Sequence, residues 1–143
     1  MEKTVFDFLI KHGVCSLTVL LPDGSPHAAA LHFSHKKDPL ELYFSTENTS
    51  RKTTGLLKGE PVKGSVVVGF SEEEWVTFQL DGEVRAVLDK DELTKVHKVH
   101  YAKHPNAEKW KDDPATIFLV FTPSWWRYTD YKTKPITILS SGK

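Results

Sequence analysis

One short run of hydroxyl and basic side chains has the residue types that bind a phosphate. Ser45, Thr46 and Ser50 carry hydroxyls, and Arg51 and Lys52 are adjacent cations. Hydroxyl residues also start helices, and the first turn of a helix stabilises an anion through free N–H groups and its dipole. Basic side chains at that position add charge-assisted hydrogen bonds. The run predicts a phosphate site, with an ordinary helix cap followed by two solvated cations as the alternative.

Three consecutive alanines lie in a segment that otherwise has the composition of a strand. Alanine forms strands poorly, so Ala28, Ala29 and Ala30 point to some other requirement. Small side chains let a flat ligand lie against the backbone and bond to its N–H and C=O groups. Tight packing against the N-terminal helix is the alternative.

Two adjacent tryptophans, Trp125 and Trp126, concentrate aromatic surface near the C-terminus. Neighbouring residues of a strand point to opposite sides, so one of the two indoles must face out of a barrel. An exposed indole is typical of a subunit interface or of contact with a ligand ring. Partial burial under the terminal segment is the alternative.

No catalytic or metal site stands out. His97, His100 and His104 have the spacing of one helix stripe, but Lys98 and Lys103 between them would repel a cation. No cysteine or carboxylate completes a recognised ligand set, so a solvated helix face is expected and no metal. The chain also lacks a Gly-x-Ser-x-Gly elbow, a Walker loop, a Rossmann glycine pattern and a Cys-x-x-Cys pair.

The hydrophobic pattern predicts a mostly β fold. Six strands are expected, followed by a last extended stretch, and three helices; Gly82 interrupts an apolar strand face, as at a bulge or a close backbone approach. Short turns between the strands favour a closed antiparallel barrel. The expected strands are 14–21, 26–34, 40–46, 64–70, 76–88 and 115–122, the last stretch is 125–131 and 136–139, and the expected helices are 5–10, 51–58 and 91–104.

Composition sets the remaining limits. The 143 residues are about the size of one domain, so residues 1–143 are expected to form a single unit. The 19 basic and 19 acidic residues cancel, which disfavours nucleic acid as a partner. Cys15 is the only cysteine, which suits a reducing compartment. No segment has the roughly 18 apolar residues of a membrane span, so a soluble cytoplasmic protein is expected.

These features together resemble the pyridoxamine 5'-phosphate oxidase-like family of FMN-binding split β-barrels. The likeness is strongest from Tyr43 to Lys52 and covers roughly residues 4 to 122. It implies an antiparallel split barrel of Greek-key-like order. It also implies that Arg51 and Lys52 hold the FMN phosphate beside the three hydroxyls, and that the backbone of Ala28 to Leu31 flanks the isoalloxazine ring. Thr77 would add a polar contact, and such proteins are typically homodimers with the cofactor at the subunit interface.

The chain departs from the oxidase that gives the family its name. That enzyme has basic residues on its second strand, where this sequence has His27, Ala28 and His32, and its C-terminal arginine motif is missing here. The likeness is therefore closer to the short, general branch. It implies an FMN-dependent oxidoreductase acting on an unidentified small molecule, in which the flavin supplies the chemistry. A non-catalytic module that binds or senses a flavin, a deazaflavin or haem is the alternative.

Overall fold

The computed structural model describes residues 1–142 and is dominated by one antiparallel sheet. Two α-helices and two short 3-10 helices accompany the strands. The elements are α1 Lys3–Lys11, β1 Val14–Leu20, β2 Pro26–Lys36, β3 Glu41–Glu47, the 3-10 helix Arg51–Thr53, β4 Val62–Val68, β5 Val76–Ala86, α2 Lys90–Lys103, the 3-10 helix Pro105–Trp110, β6 Thr116–Asp130 and β7 Thr137–Ser140. Neither α-helix has the length and apolar character needed to cross a bilayer.

Six strands close into a barrel, as the sequence predicts. Their order is β3-β2-β1-β4-β5-β6, and pairing of β3 with β6 completes the ring, while β7 extends the sheet beyond β6. The β1–β2 hairpin turns at Asp23 and Gly24, where Asp23 accepts a hydrogen bond from the Ser25 amide and Gly24 has a φ of 85°. The chain then passes from β3 to β4, which pairs with β1 on the far side, and this gives the Greek-key-like order.

The barrel is split between β2 and β3. The two strands pair only where residues 33–36 face residues 41–44. Beyond that point β2 stays with β1 and β3 stays with β6, so the strands separate. The 3-10 helix Arg51–Thr53 packs against β2 beside the opening.

Apolar side chains from all six barrel strands fill the interior. Phe33, Phe44, Phe78 and Phe121 are fully buried there, and α1 adds Leu9 from the N-terminus. A second apolar cluster lies between α2 and the outer faces of β3 and β6; it contains Tyr43, Val87, Val96, Tyr101, Phe118 and Val120. Burying these side chains supplies the main free energy that holds barrel and helix together.

Gly82 shows both features that its position predicts. The β5–β6 register shifts between Asp81 and Gly82, as at a bulge, and a Cβ on Gly82 would overlap the carbonyl oxygen of Thr122. Pro123 lies opposite Gly82, at a point where the missing N–H of proline is tolerated. β6 therefore continues through residues 123 and 124 as one strand, where the sequence pattern indicates two segments.

The helix expected over residues 51–58 is wrong. The 3-10 helix ends at Thr53, and turns follow it. The hydroxyls of Thr53 and Thr54 donate to the carbonyl oxygens of Ser50 and Arg51, at 2.8 and 2.7 Å. Such local bonds compete with α-helical ones, and Gly55 lowers helix propensity further. The predicted contribution of a helix dipole to phosphate binding is therefore lost.

Candidate functional site

A cavity of about 390 Å³ lies at the end of β3, beyond the residues of β3 that pair with β2. Its walls are the end of β3, the turn that follows it, and the stretch from the end of the second 3-10 helix to the start of β6. Its lining residues are Ser45, Thr46, Glu47, Ser50, Lys52, Trp110, Asp113 and Thr116. Four of the five side chains predicted to bind phosphate therefore meet in one place.

Among the described residues, Lys52 is the one cation of this cavity, which is also lined by the carboxylates of Glu47 and Asp113. Its side chain is mostly buried, with 8% of the residue exposed, yet it makes no hydrogen bond or ion pair within residues 1–142. The fully buried and unpartnered side-chain atoms of that range are Tyr101 Oη and Arg127 Nε, so the Lys52 ammonium keeps some exposed surface, and Lys52 lines the cavity. Burial lowers the pKa of Lys52, and the nearby carboxylate of Glu47 partly offsets this effect. An anion in the cavity would give the ammonium the partner it lacks.

The hydroxyls that line the cavity differ in whether they already form a hydrogen bond. Ser50 Oγ donates to the carbonyl oxygen of Glu47 at 2.8 Å, which holds the turn in shape. Ser45 and Thr46 make no side-chain hydrogen bond within residues 1–142, so both hydroxyls are free for a ligand. The amides of Arg51 and Lys52 likewise have no acceptor among the described residues.

The side chain of Arg51 does not share the cavity with that of Lys52. It is exposed and does not line the cavity. It lies instead near the β1–β2 turn. There the pKa of Asp23 is held low, first by hydrogen bonds from Ser25 and to a smaller extent by the charge of Arg51.

The three alanines of β2 divide between the two faces of the strand. Ala28 and Ala30 are exposed on the outer face together with His32, whereas Ala29 alternates with them and points toward the barrel. On the β3 side, residues 26–32 have no strand partner in the described chain. Main-chain N–H and C=O groups along that edge are therefore open to a ligand or to water, as the flat-ligand hypothesis requires.

The remaining predicted site residues lie elsewhere. Trp126 packs against the core, with its ring 5.7 Å from that of Phe78, and Trp125 lies outside the barrel, where its Nε1 donates to the carbonyl oxygen of Gly142. Thr77 Oγ1 is 3.5 Å from the carbonyl oxygen of Val68. None of these three residues lines the cavity of Lys52.

The register along β6 shows how far Trp125 lies from the cavity that contains Ser45 and Lys52. Ser45 pairs with Phe118, and Trp125 follows seven residues later in the same strand. At about 3.3 Å per residue the separation is roughly 23 Å. Trp125 and Lys52 of one chain therefore do not form one compact site.

A second cavity, which the sequence pattern does not indicate, adjoins the first. It has a volume of about 480 Å³, shares Ser45 and Trp110 with the Lys52 cavity, and contains no carboxylate. Its lining residues are His32, Ser45, His100, Lys103, His104, Pro105, Asn106, Ala107, Lys109 and Trp110. Histidines from β2 and α2 converge here, with the rings of His32 and His104 5.1 Å apart.

The prediction that the histidines of α2 lie on a solvated face is wrong for His100, which is 1% exposed. Its Nδ1 shares a 2.8 Å hydrogen bond with Ser34 Oγ, and His104 Nε2 donates to the carbonyl oxygen of Phe33 at 2.7 Å. Burial, followed by the neighbouring His104 and His32, lowers the pKa of His100 to about 4. Burial also lowers the pKa of Lys103 to about 8. Residues 1–142 contain no group of three or more ligands arranged to hold a metal ion.

One signal in the sequence could have found this cavity. His100 and His104 are one helical turn apart, and His32 shares the outer face of β2 with Ser34, against which α2 packs. Strand alternation places His32 correctly, but nothing in the sequence pairs β2 with α2.

Solved structures confirm the fold. A protein from Clostridium acetobutylicum, related to general stress protein 26 and described as of the pyridoxinephosphate oxidase family, is 14% identical, with a TM-score of 0.70 over 96% of this chain and 92% of its own. A pyridoxamine 5'-phosphate oxidase-related, FMN binding protein from Nostoc punctiforme is 12% identical, with a TM-score of 0.68 over 96% and 88%. A heme binding protein from Mycobacterium smegmatis is 14% identical, with a TM-score of 0.73 over 98% and 59%, so this chain spans a little over half of it.

No curated protein matches the sequence. Residues 1–130, nine tenths of the chain, match the family described as pyridoxamine 5'-phosphate oxidase. Together with the split barrel, this match shows that the chain belongs to the pyridoxamine 5'-phosphate oxidase family.

Proposed function

We propose that this protein binds FMN at the β2–β3 split and acts as an FMN-dependent oxidoreductase on a small molecule. The observation that carries the proposal is Lys52, a mostly buried cation without a partner, in a cavity with two free hydroxyls. A mononucleotide needs an anion site beside an open, flat surface. Lys52 suits the phosphate, and Ala28 and Ala30 leave the adjoining strand face clear for a ring.

When bound, FMN supplies the redox chemistry, which explains why no catalytic acid, base or nucleophile stands out in the chain. The protein has the tasks of binding and orientation. Lys52, Ser45 and Thr46 would hold the phosphate, with Ser50 keeping the turn in shape, and the open main-chain edge of residues 26–32 would offer hydrogen bonds to the polar edge of the ring.

We also propose a homodimer with the cofactor at its interface. The contacts between α2 and the barrel are concentrated on β2 and β3, which leaves the outer face of β1, β4 and β5 without a helix of its own. One part of that face has small or uncharged side chains, Ser16, Thr18, Val67, Thr77 and Gln79, and the charged residues Lys63, Asp81, Glu83 and Arg85 lie farther along it. A second copy packed there could bring its Trp125 to a site that Trp125 of the same chain does not reach.

The neighbouring cavity of His32, Lys103 and His104 is the place we assign to the small-molecule substrate. It opens next to Ser45 and is therefore adjacent to the proposed cofactor site. A reducing cytoplasmic setting fits the buried thiol of Cys15, whose pKa burial raises to about 12.

Reconstitution with FMN and with riboflavin tests the proposal, since the two differ only in the phosphate. We expect Lys52→Met to weaken FMN binding about 10- to 100-fold and to leave riboflavin binding nearly unchanged. Lys58→Met, at an exposed position of the same turn region, is the matched control and should change neither affinity. Equal losses for both ligands, or none, would contradict the assignment. Bleaching of the bound flavin by NADH or NADPH without oxygen would then support an oxidoreductase.

Haem binding is the second candidate, and the histidine-lined cavity favours it. His104 donates through Nε2, so its Nδ1 is free for a ligand, and His32 is exposed on the same cavity. The visible spectrum of the protein purified with its native ligand separates the candidates: a flavin absorbs near 450 nm, and haem has a sharp band at shorter wavelength. A His104→Gln variant that loses the haem band would favour the second candidate.

A further inference from the structure

The buried ring of His100 has one polar atom without a partner. His100 is 1% exposed, and its Nδ1 shares the 2.8 Å hydrogen bond with Ser34 Oγ. Its Nε2 has no hydrogen-bond partner within residues 1–142, yet it is not among the fully buried unpartnered atoms of that range. The small exposed surface of the ring therefore includes Nε2. Because His100 lines the histidine-lined cavity and not the Lys52 cavity, this atom faces the histidine-lined cavity.

The bond to Ser34 decides which nitrogen of the ring carries the proton. Ser34 is 1% exposed and its hydroxyl has no other partner in the described chain, so the hydroxyl uses its hydrogen by donating to Nδ1. Burial lowers the pKa of His100 to about 4, which keeps the ring neutral near pH 7. With Nδ1 as the acceptor, the single ring proton is on Nε2. His100 thus presents an N–H donor to the cavity.

The cavity around this donor has cations and, among the described residues, no carboxylate. Lys103 and Lys109 line it, and neither forms an ion pair within residues 1–142. Lys103 Nζ donates to the carbonyl oxygen of Leu9 at 2.8 Å and lies 4.0 Å from the centre of the Phe33 ring, so it has no counter-ion there. A ligand group that accepts a hydrogen bond and carries negative charge would suit both the donor and the cations.

The rest of the wall suits an organic molecule. Pro105, Ala107 and Trp110 line the cavity, and Trp110 is 55% exposed. Lys109 Nζ lies 5.3 Å from the centre of the Trp110 ring, which brings a cation and an aromatic surface together. A volume of about 480 Å³ is within the range of small-molecule sites. The cavity therefore has room for a small body attached to the negative group.

We propose that the histidine-lined cavity binds the carboxylate group of the substrate, with the Nε2–H of His100 as its buried hydrogen-bond donor. Lys103 and Lys109 supply the attraction of opposite charge, and the Trp110 ring packs against the body of the same molecule. Naming this ligand a substrate rests on the proposed function. The carboxylate site itself uses no atom of the flavin, so it can be tested without FMN.

Benzoate is a suitable probe, and benzamide, of similar shape and without charge, is the control ligand. Calorimetric titration of the flavin-free chain should show saturable benzoate binding and weaker benzamide binding. We expect His100→Leu to weaken benzoate binding about 10- to 100-fold and Lys109→Gln to weaken it about two- to fivefold. The matched controls are His97→Gln and Lys95→Gln, on α2 outside the cavity, and both should bind like the native chain.

Spectra of the native chain keep the test independent of the folding of His100→Leu, which leaves the Ser34 hydroxyl unpaired. Heteronuclear NMR should show the His100 proton on Nε2 at pH 7, and benzoate should shift that resonance while the ring of His97 is unaffected. A proton on Nδ1, or no shift of His100 on saturation, would overturn the proposal. It would be overturned equally if benzoate showed no saturable binding below about 10 mM, or if phenyl phosphate bound more tightly than benzoate.

Repeating the titration with FMN present separates this proposal from the proposed function. Benzoate binding as expected in a chain that does not bind FMN would support the carboxylate site and contradict the flavin function. Tight FMN binding without saturable benzoate binding would contradict the carboxylate site and leave the flavin function intact.

Discussion

Ser34 and His100 share a buried hydrogen bond of 2.8 Å that joins β2 to α2 across 66 residues of sequence. The bond holds α2 over the strand at the point where β2 and β3 are still paired. The histidine-lined cavity, which contains residues of both β2 and α2, depends on this contact together with the apolar cluster beneath α2. His100 is also held neutral, because burial lowers its pKa to about 4.

Because His100 is neutral in the folded chain, the free energy of unfolding should decrease as the pH is lowered. The unfolded chain binds a proton at this histidine below its ordinary pKa of about 6.5, whereas the folded chain does so only near 4. The free energy of unfolding should thus fall as the pH drops from about 6.5 to 4, by at most about 3 kcal/mol from this group. His35, whose pKa burial also lowers to about 4, should add to the loss. Urea unfolding at pH 7 and pH 5 measures it, and His100→Gln should flatten the dependence.

Lys52 and Arg51 should differ in their effect on a bound phosphate. Lys52→Ala should weaken FMN binding strongly, whereas Arg51→Ala should have the smaller effect, because the exposed Arg51 side chain lies outside the cavity. Fluorescence titration of the two variants under the same ionic strength gives the comparison. A larger loss in Arg51→Ala would show that the arginine turns into the cavity when the ligand binds.

A partner subunit that completes the cofactor site should permit complementation. Lys52→Met removes a residue of the cavity, and Trp125→Ala removes a residue roughly 23 Å along β6 from it. If the two belong to one site across a dimer, mixing the inactive or weakly binding variants should restore one native site in each mixed dimer. Light scattering first establishes the number of chains. A monomeric protein, or no gain in FMN binding on mixing after exchange of subunits, would count against the proposed dimer.

Gly82 should tolerate no side chain. A Cβ there would overlap the carbonyl oxygen of Thr122 and would lie 2.8 Å from Cα of Pro123, both of them backbone atoms. Gly82→Ala should lower the free energy of unfolding by about 1–3 kcal/mol, since two strands must move apart. Gly142→Ala, which has nothing within 4 Å of the new Cβ, is the control and should be neutral. Chemical denaturation of both variants decides the matter.

Local sequence patterns predict the barrel well and the site in part. Alternation identifies β5, turn residues identify the β1–β2 hairpin, and the glycine within β5 marks its bulge. These features depend on near neighbours in sequence. The same holds for Ser45, Ser50 and Lys52, which meet because one strand and one turn carry them.

What the sequence could not provide is contact between distant elements. The burial of His100 depends on Ser34, and the separation of Arg51 from Lys52 depends on a turn that threonine hydroxyls shape. The helix expected at 51–58 fails for the same reason, since propensity alone does not register side-chain bonds to the backbone. The placement of Trp125 likewise follows from the register of β6 and not from its neighbours.

The divergence of β2 and β3 has a consequence for how such a site can change over generations. Each strand keeps one hydrogen-bonded neighbour throughout the split, so opening the crevice breaks no ladder that the barrel needs. Main-chain donors and acceptors line its β2 rim whatever residues occupy positions 26–32, and mutation there alters the fit of a guest molecule without erasing those atoms. One scaffold can in this way exchange its ligand while its folding remains undisturbed.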